Sequence, residues 1–222
     1  FQRQLWPPGQ AAGGTWYLTN AGGWHETQVA SDAGRCFTDQ LPSIAAGASG
    51  RVWIAWSAPR SPAAGCGGSA GIRVATSVAG ASWTRETLTT RRDDIQPVLA
   101  LDPMGRPGLI FDRAGSGIRF TRRIDGDWRP LSAVSDGEEG SLAFGRDGMA
   151  HVAAEGGGGI VVASGGLRGF TQKRVYRGPV DYGTYGGPGI VLVPGSGLAR
   201  VVFGRSEPDA TRSSATNWPT SC

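Results

Sequence analysis

Acidic side chains gather in four short polar segments, and these are the residues that could do chemistry. One holds Asp93 and Asp94 behind Arg91 and Arg92, a second Glu138 and Glu139 behind Asp136, a third Asp181 with Tyr182 and Tyr185, and a fourth Asp32, Arg35 and Asp39. Carboxylates accept hydrogen bonds from hydroxyls and a tyrosine ring offers a stacking face, so such a set suits a sugar; the same oxygens could hold a hard cation such as calcium. Two carboxylates from different segments could also serve glycoside hydrolysis as acid and base. Acidic turn residues occur for purely local reasons as well, and no single residue is assigned a catalytic role. His25 and His151 stand apart, and Cys36, Cys66 and Cys222 lack the close spacing of a zinc site. No Ser-His-Asp order, nucleophile elbow, phosphate-binding loop or dinucleotide fingerprint is present. Gly156-Gly157-Gly158-Gly159 does not open a helix and is no phosphate cradle.

The bulk properties narrow the classes. The 222 residues are 39% hydrophobic and 18% charged, a globular composition, and no apolar run is long enough to span a membrane as a helix. Phe1 to Pro8 lacks the layout of a signal peptide, so any export signal is expected to have been removed. The net charge of +4 comes almost wholly from arginine, with Lys173 the one lysine. Arg91-Arg92 and Arg122-Arg123 are each followed closely by aspartates, which leaves no basic stripe and argues against nucleic acid.

What must position the acidic segments is a repeat. A hairpin with glycine at its turn occurs four times, around Gly50, Gly105, Gly148 and Gly197. A strand opening after a second glycine follows at Thr15, Ile72, Ile118 and Ile160, and an aromatic, Trp24, Trp83, Trp128 or Phe170, then starts a further strand. Short apolar segments between glycine-rich turns, without helical periodicity, describe antiparallel strands. Each unit is four strands, A and B around the turn, then C, then D. Radially repeated four-stranded sheets make a β-propeller. The fold class expected is therefore all-β, one small propeller domain over 1–222 with four blades. Units 42–89, 97–134 and 140–177 are complete, and the last A–B hairpin (188–203) is expected to close the ring by pairing with the first C–D hairpin (15–29). Trp6 and the tail around Trp218 are the only further candidates for edge strands. The four aromatics are expected to pack between blades. His151 falls at a fixed place after its turn-glycine and is first of all a repeat position.

Arg146-Asp147-Gly148-Met149-Ala150-His151-Val152-Ala153 resembles the centre of the extracellular propeller repeats of bacterial secreted proteins, and Asp102-Pro103-Met104-Gly105-Arg106-Pro107 resembles its first half. Thr76 to Trp83 is more distantly similar to the Asp-box turn of sialidase-like propellers, with Val78 where the aspartate would stand. The resemblance implies an exported, secreted or cell-surface protein. A sialidase-like site would draw on residues such as Arg92, Arg113, Tyr182 and Glu155.

In a propeller the D–A and B–C loops share one face, and all four acidic segments are D–A loops. Cys36 and Cys66 fall in a D–A and a B–C loop of that face. A disulfide between them is expected, closing a loop of about 30 residues and contributing roughly 3 kcal/mol, with Cys222 left for self-association. The first functional expectation is a binding module for a glycan or a protein partner through Asp93, Asp94, Glu138, Glu139, Asp181, Tyr182 and Tyr185. A sialidase-like hydrolase and an assembly subunit are the alternatives.

Overall fold

The computed structural model describes residues 2–3, 13–20, 22–32, 41–58, 71–80, 82–180, 187–193 and 197–204. The turn-glycines explain the hairpins. Gly50, Gly105, Gly148 and Gly197 have φ of 75, 73, 76 and 67°, the left-handed region that glycine enters without steric cost. The first three close tight turns, donating to the carbonyls of Gly47, Asp102 and Gly145 at 3.0, 2.8 and 2.9 Å.

Five antiparallel sheets follow one another along the chain among the described residues. The first holds β1 (Gln2–Arg3), β2 (Gly13–Thr19) and β3 (His25–Asp32). The second holds β4 (Ser43–Ala46), β5 (Arg51–Ser57), β6 (Ile72–Val78) and β7 (Thr84–Thr87). The third holds β8 (Asp94–Leu101), β9 (Pro107–Arg113) and β10 (Gly117–Ile124), whose outer edge pairs with both β11 (Asp127–Trp128) and β12 (Ser132–Ser135). The fourth holds β13 (Glu138–Phe144), β14 (Ala150–Glu155), β15 (Gly159–Gly166) and β16 (Gly169–Arg177). The fifth is the hairpin β17 (Gly189–Leu192) and β18 (Ala199–Val202). The expected A, B, C and D strands fall on these elements. The second repeated glycine also has a steric cause, since a Cβ on Gly117 would come 2.1 Å from the Ser135 carbonyl oxygen of the neighbouring strand.

The sheets pack face to face, and the first strands of successive sheets adjoin: β4 against β8, β8 against β13, β13 against β17. Three apolar clusters fill the interfaces. Val29 meets Val52, Ile54 and Ala75 between the first and second sheets. Trp53 and Val74 meet Leu109 and Phe111 between the second and third, and Ile118 and Phe120 meet Val152 and Ala163 between the third and fourth. Each large side chain fully buried this way contributes roughly 1.5–3 kcal/mol. Polar ties cross the same interfaces: Glu86 of β7 accepts from Arg123 at 2.5 Å and from the Trp128 indole at 2.9 Å.

The aromatic that opens each D strand packs on the preceding sheet. Trp83 meets Tyr17 with ring centroids 5.2 Å apart, Trp128 meets Trp53 at 6.4 Å, and Phe170 meets Phe120 at 5.3 Å. Trp24 departs from the expectation and is 72% exposed. It belongs to the first sheet, and no described residue supplies a sheet before it.

The expected ring closure is not found among the described residues. Among the described residues β17 and β18 bond only to each other, and no ladder joins them to β2 or β3. The edge of β2 that β18 was expected to occupy is taken by β1, with Gln2 opposite Thr15 and Arg3 opposite Gly14. Among the described residues the first and last units are two separate partial sheets.

Candidate functional site

The D–A and B–C connections do lie at one end of the sheets, where B strands finish and A strands begin. At that end the B strands turn polar while still buried. Ser57, Asp112 and Glu155 stand at the last or next-to-last position of β5, β9 and β14, each seven residues after its turn-glycine. Their exposures are 0, 5 and 6%. A buried carboxyl is costly unless its oxygens are engaged, so such a position invites explanation.

The A strands bring the partners. In β8 the register slips between Ile95 and Val98, with Gln96 at φ 52°; in β13 it slips between Glu138 and Ser141, with Glu139 at φ 52°. Leu41, at the matching place before β4, has φ 33°. These left-handed residues cost conformational energy in non-glycine side chains and mark deliberate bulges at the mouth of the sheets. One consequence is direct: the bulge aims the Glu139 N–H across the interface to donate to Asp112 Oδ2 at 2.8 Å.

Asp112 is thereby held between the third and fourth sheets. Burial pushes its carboxyl up, the Glu139 N–H bond partly opposes that, and the charges of Glu138 and Glu139 push it further, to about 6. Glu138 is exposed and Glu139 half-buried, and Glu138 lies opposite Glu155 in the β13–β14 ladder. Asp112, Glu138, Glu139 and Glu155 therefore form an acidic group shared by two sheets.

Beside it, Asp94 is fully buried and accepts both bonds of a bidentate pair from Arg113, Nε at 2.6 Å and Nη2 at 3.0 Å. That fork satisfies a carboxylate which water cannot reach. Its neighbour in sequence, Asp93, points elsewhere and pairs with the exposed Arg91 at 2.6 and 3.0 Å; that hydrogen bond holds its carboxyl below the usual range. The Asp93 carbonyl accepts from the Ala114 N–H at 2.9 Å, which ties the D–A loop to the B–C loop.

Of the residues expected from sequence, Asp93, Asp94, Glu138 and Glu139 are at this end, and Arg113 and Glu155 join them. Asp181, Tyr182, Tyr185, Cys36, Cys66 and Cys222 lie outside the described residues, so the tyrosine wall and the disulfide do too. Among the described residues no three His, Cys, Asp or Glu side chains are grouped to hold a metal ion. Sequence reasoning missed Asp112. Its signal was a polar residue at the same step after three turn-glycines, closing an otherwise apolar strand. His151 lies away from this end, its Nδ1 2.9 Å from Ser164 Oγ on the adjacent β15.

No protein family and no curated protein matches the chain. Among solved structures it is similar to a protein of unknown function from Dyadobacter fermentans, with 15% identity over 86% of this chain and 65% of that one and a TM-score of 0.53. The chain thus spans just under two thirds of that protein's length. It is also similar to a glycosyl hydrolase from Bacteroides ovatus, with 13% identity over 74% of this chain and 60% of that one and a TM-score of 0.46. A putative exo-beta-1,3-galactanase from Bifidobacterium bifidum gives 13%, 70%, 60% and 0.44 in the same order. Likeness at these identities concerns the fold alone: an all-β chain of successive antiparallel sheets.

Proposed function

We propose that the chain is a propeller-type binding module that recognises carbohydrate at the acidic end of its third and fourth sheets. The observation that carries this reading is the grouping of Asp112, Glu138, Glu139 and Glu155 across one interface, with Asp112 raised to about 6. An ionised carboxylate only accepts hydrogen bonds, whereas a carboxyl that is partly protonated near neutral pH both donates and accepts. Sugar hydroxyls do the same, and a mixed set of this kind matches them better than it matches a cation. The Asp94–Arg113 pair is taken as scaffold, holding the A and B strands of the third sheet in register. Export to the cell surface belongs to the same reading, and its chemical test is whether the Cys36–Cys66 bond forms, read from gel mobility with and without reductant.

A hydrolytic role is the second reading, favoured by one feature. A carboxyl raised to about 6 with other carboxyl groups beside it is the kind of arrangement from which a general acid and a base can be drawn.

One experiment separates the two: glycan-array binding and release of phenol from aryl glycosides, for the native chain and for Glu138→Gln and Asp112→Asn. Saturable glycan binding without turnover, weakened about ten-fold or more by Glu138→Gln, is the expected result, as befits loss of a charge-assisted hydrogen bond. Turnover abolished by Asp112→Asn would establish the hydrolytic reading instead. Absence of both binding and turnover would overturn the carbohydrate reading altogether.

A further inference from the structure

The face that the fourth sheet turns toward the fifth departs from the repeat. Three residues after the turn-glycine, the B strands of the second and third sheets carry Trp53 and Gly108. Both places are filled by apolar packing against the next sheet. Trp53 is 5% exposed and meets Trp128, and a Cβ on Gly108 would come 2.3 Å from Phe144 Cζ. The fourth sheet has His151 there, and the residue opposite it on β15 is Ser164, where the other two sheets have Thr76 and Arg122. A polar pair thus stands where the neighbouring interfaces hold aromatic rings, and a break in an otherwise consistent pattern is where function is to be sought.

Ser164 Oγ lies 2.9 Å from His151 Nδ1, and both residues are half-buried. The other ring nitrogen faces a carboxylate. A Cβ placed on Gly145 would be 2.5 Å from Asp147 Oδ1 and 3.4 Å from His151 Nε2, so the glycine keeps open a small space that the two atoms share. Asp147 is fixed there by its turn, since Oδ1 accepts from the Met149 N–H at 2.9 Å. A carboxylate on the Nε2 side favours the proton on Nε2 and leaves Nδ1 bare, able to accept from the Ser164 hydroxyl. That polarity is the one a nucleophile needs from its base. The pair is a product of strand register rather than of any motif in the chain, and it stands near the turn end of β14, away from the acidic group.

Ser164 also lines a cavity of about 520 Å³ between the fourth and fifth sheets. Val162, Val201 and Phe203 give it apolar walls, and Thr171 and Lys173 put hydrogen-bond donors among them. That volume suits a small ligand. An apolar acyl group fits such walls, and the donors can meet a carbonyl oxygen as it gains charge.

We propose that Ser164 and His151 are the nucleophile and general base of an acyl-transfer site, with an ester of a small apolar acid as substrate class and Asp147 positioning the imidazole. Ser164 Oγ bonds to the acyl carbon as its proton passes to His151 Nδ1. The C–O bond of the ester then breaks, and the leaving alcohol takes that proton. Water, giving a proton to the same nitrogen, attacks the acyl-serine, and the Ser164 hydroxyl re-forms with that proton as the acid departs. The sum is ester plus water to acid plus alcohol.

The test is reaction of the native chain with a fluorophosphonate, located by peptide mass, beside release of nitrophenol from p-nitrophenyl butyrate. The expected result is one adduct, at Ser164, with turnover that Ser164→Ala abolishes and His151→Gln slows by about 100-fold or more. No adduct, adducts spread over exposed serines, an adduct without turnover, or a rate unchanged in His151→Gln would each overturn the proposal. If the variants fail to fold, the pH profile of the native chain decides. A rate that rises with pH and then levels off supports a single base, and a rate that tracks hydroxide throughout overturns it. Asp147→Asn keeps an acceptor for the Met149 N–H and so preserves the turn. In that variant the rate is expected to level off at lower pH, because the imidazolium loses a neighbouring negative charge. An unmoved profile would overturn the part given to Asp147.

Discussion

Two buried aspartates stand at the two ends of β9, Asp102 in the turn before it and Asp112 next to last within it, and they behave in opposite ways. Asp102, in the turn before the strand, is 4% exposed; Asp112, near its end, is 5% exposed. Asp102 sits in a cage of donors. Its Oδ1 accepts from the N–H groups of Met104 and Arg106 at 2.9 Å each, and its Oδ2 from Arg106 Nε at 2.7 Å. Burial alone would raise its carboxyl, but the bonds from Arg106 and Met104 outweigh burial and hold it below the usual range. Asp112 has one donor, the Glu139 N–H, and two acidic neighbours, so burial wins and its carboxyl rises to about 6. Near-equal exposure with unequal satisfaction separates the two aspartates. Asp102 spends its oxygens in holding the turn, and Asp112 keeps acceptor capacity in reserve.

The comparison can be broken or sharpened in three ways. Largest is Arg113→Ala, which leaves the Asp94 carboxylate buried without its fork. A loss of about 3–5 kcal/mol in urea unfolding is expected, and a loss below about 1 kcal/mol would mean that water reaches Asp94. Next is Asp102→Ala, expected to cost about 3 kcal/mol at pH 7 through its three lost bonds. Because the folded carboxyl titrates below its unfolded value, that contribution is present above the ordinary carboxylate range and is lost as pH falls through the folded value. The gap between native and variant should therefore narrow at pH 3.

Smallest, and opposite in sign, is Asp112→Asn. A carboxyl raised on folding binds its proton more tightly in the native state, so the native chain loses stability as pH rises from about 4 to beyond 6. Asparagine keeps an acceptor for the Glu139 N–H and carries no charge. The variant should match the native chain at pH 4 and exceed it by about 2 kcal/mol at pH 8. A destabilised variant at pH 8 would show that Asp112, like Asp102, is structural, and would remove the contrast between the two ends.

Much of the fold was legible because its causes are local. A left-handed turn wants glycine, and Gly50, Gly105, Gly148 and Gly197 mark four hairpins that all form. A sheet buried on both faces wants apolar strands, and the runs ending at Trp56, Phe111 and Ala154 supply the B strands. Two of the acidic segments, Asp93-Asp94 and Glu138-Glu139, stand at the end of the sheets that strand order assigns to them. Asp112 escaped notice because an aspartate after an apolar run looks like a turn residue until the adjoining sheet is in view. Trp24 was misjudged because the sequence shows that an aromatic opens a strand without showing which sheet it will meet.

The amino-acid sequence by itself therefore determined the strands, their turns, the repeat and the end of the sheets where carboxylates gather, since periodicity and glycine placement act over a few residues. Only the tertiary structure decided that Asp94 is neutralised by Arg113 while Asp112 is not, and that β1 rather than β18 lines the edge of β2. Those outcomes depend on contacts between sheets, where burial, a single N–H donor and competition for one strand edge set the result, and none of these quantities is a property of any local stretch of chain.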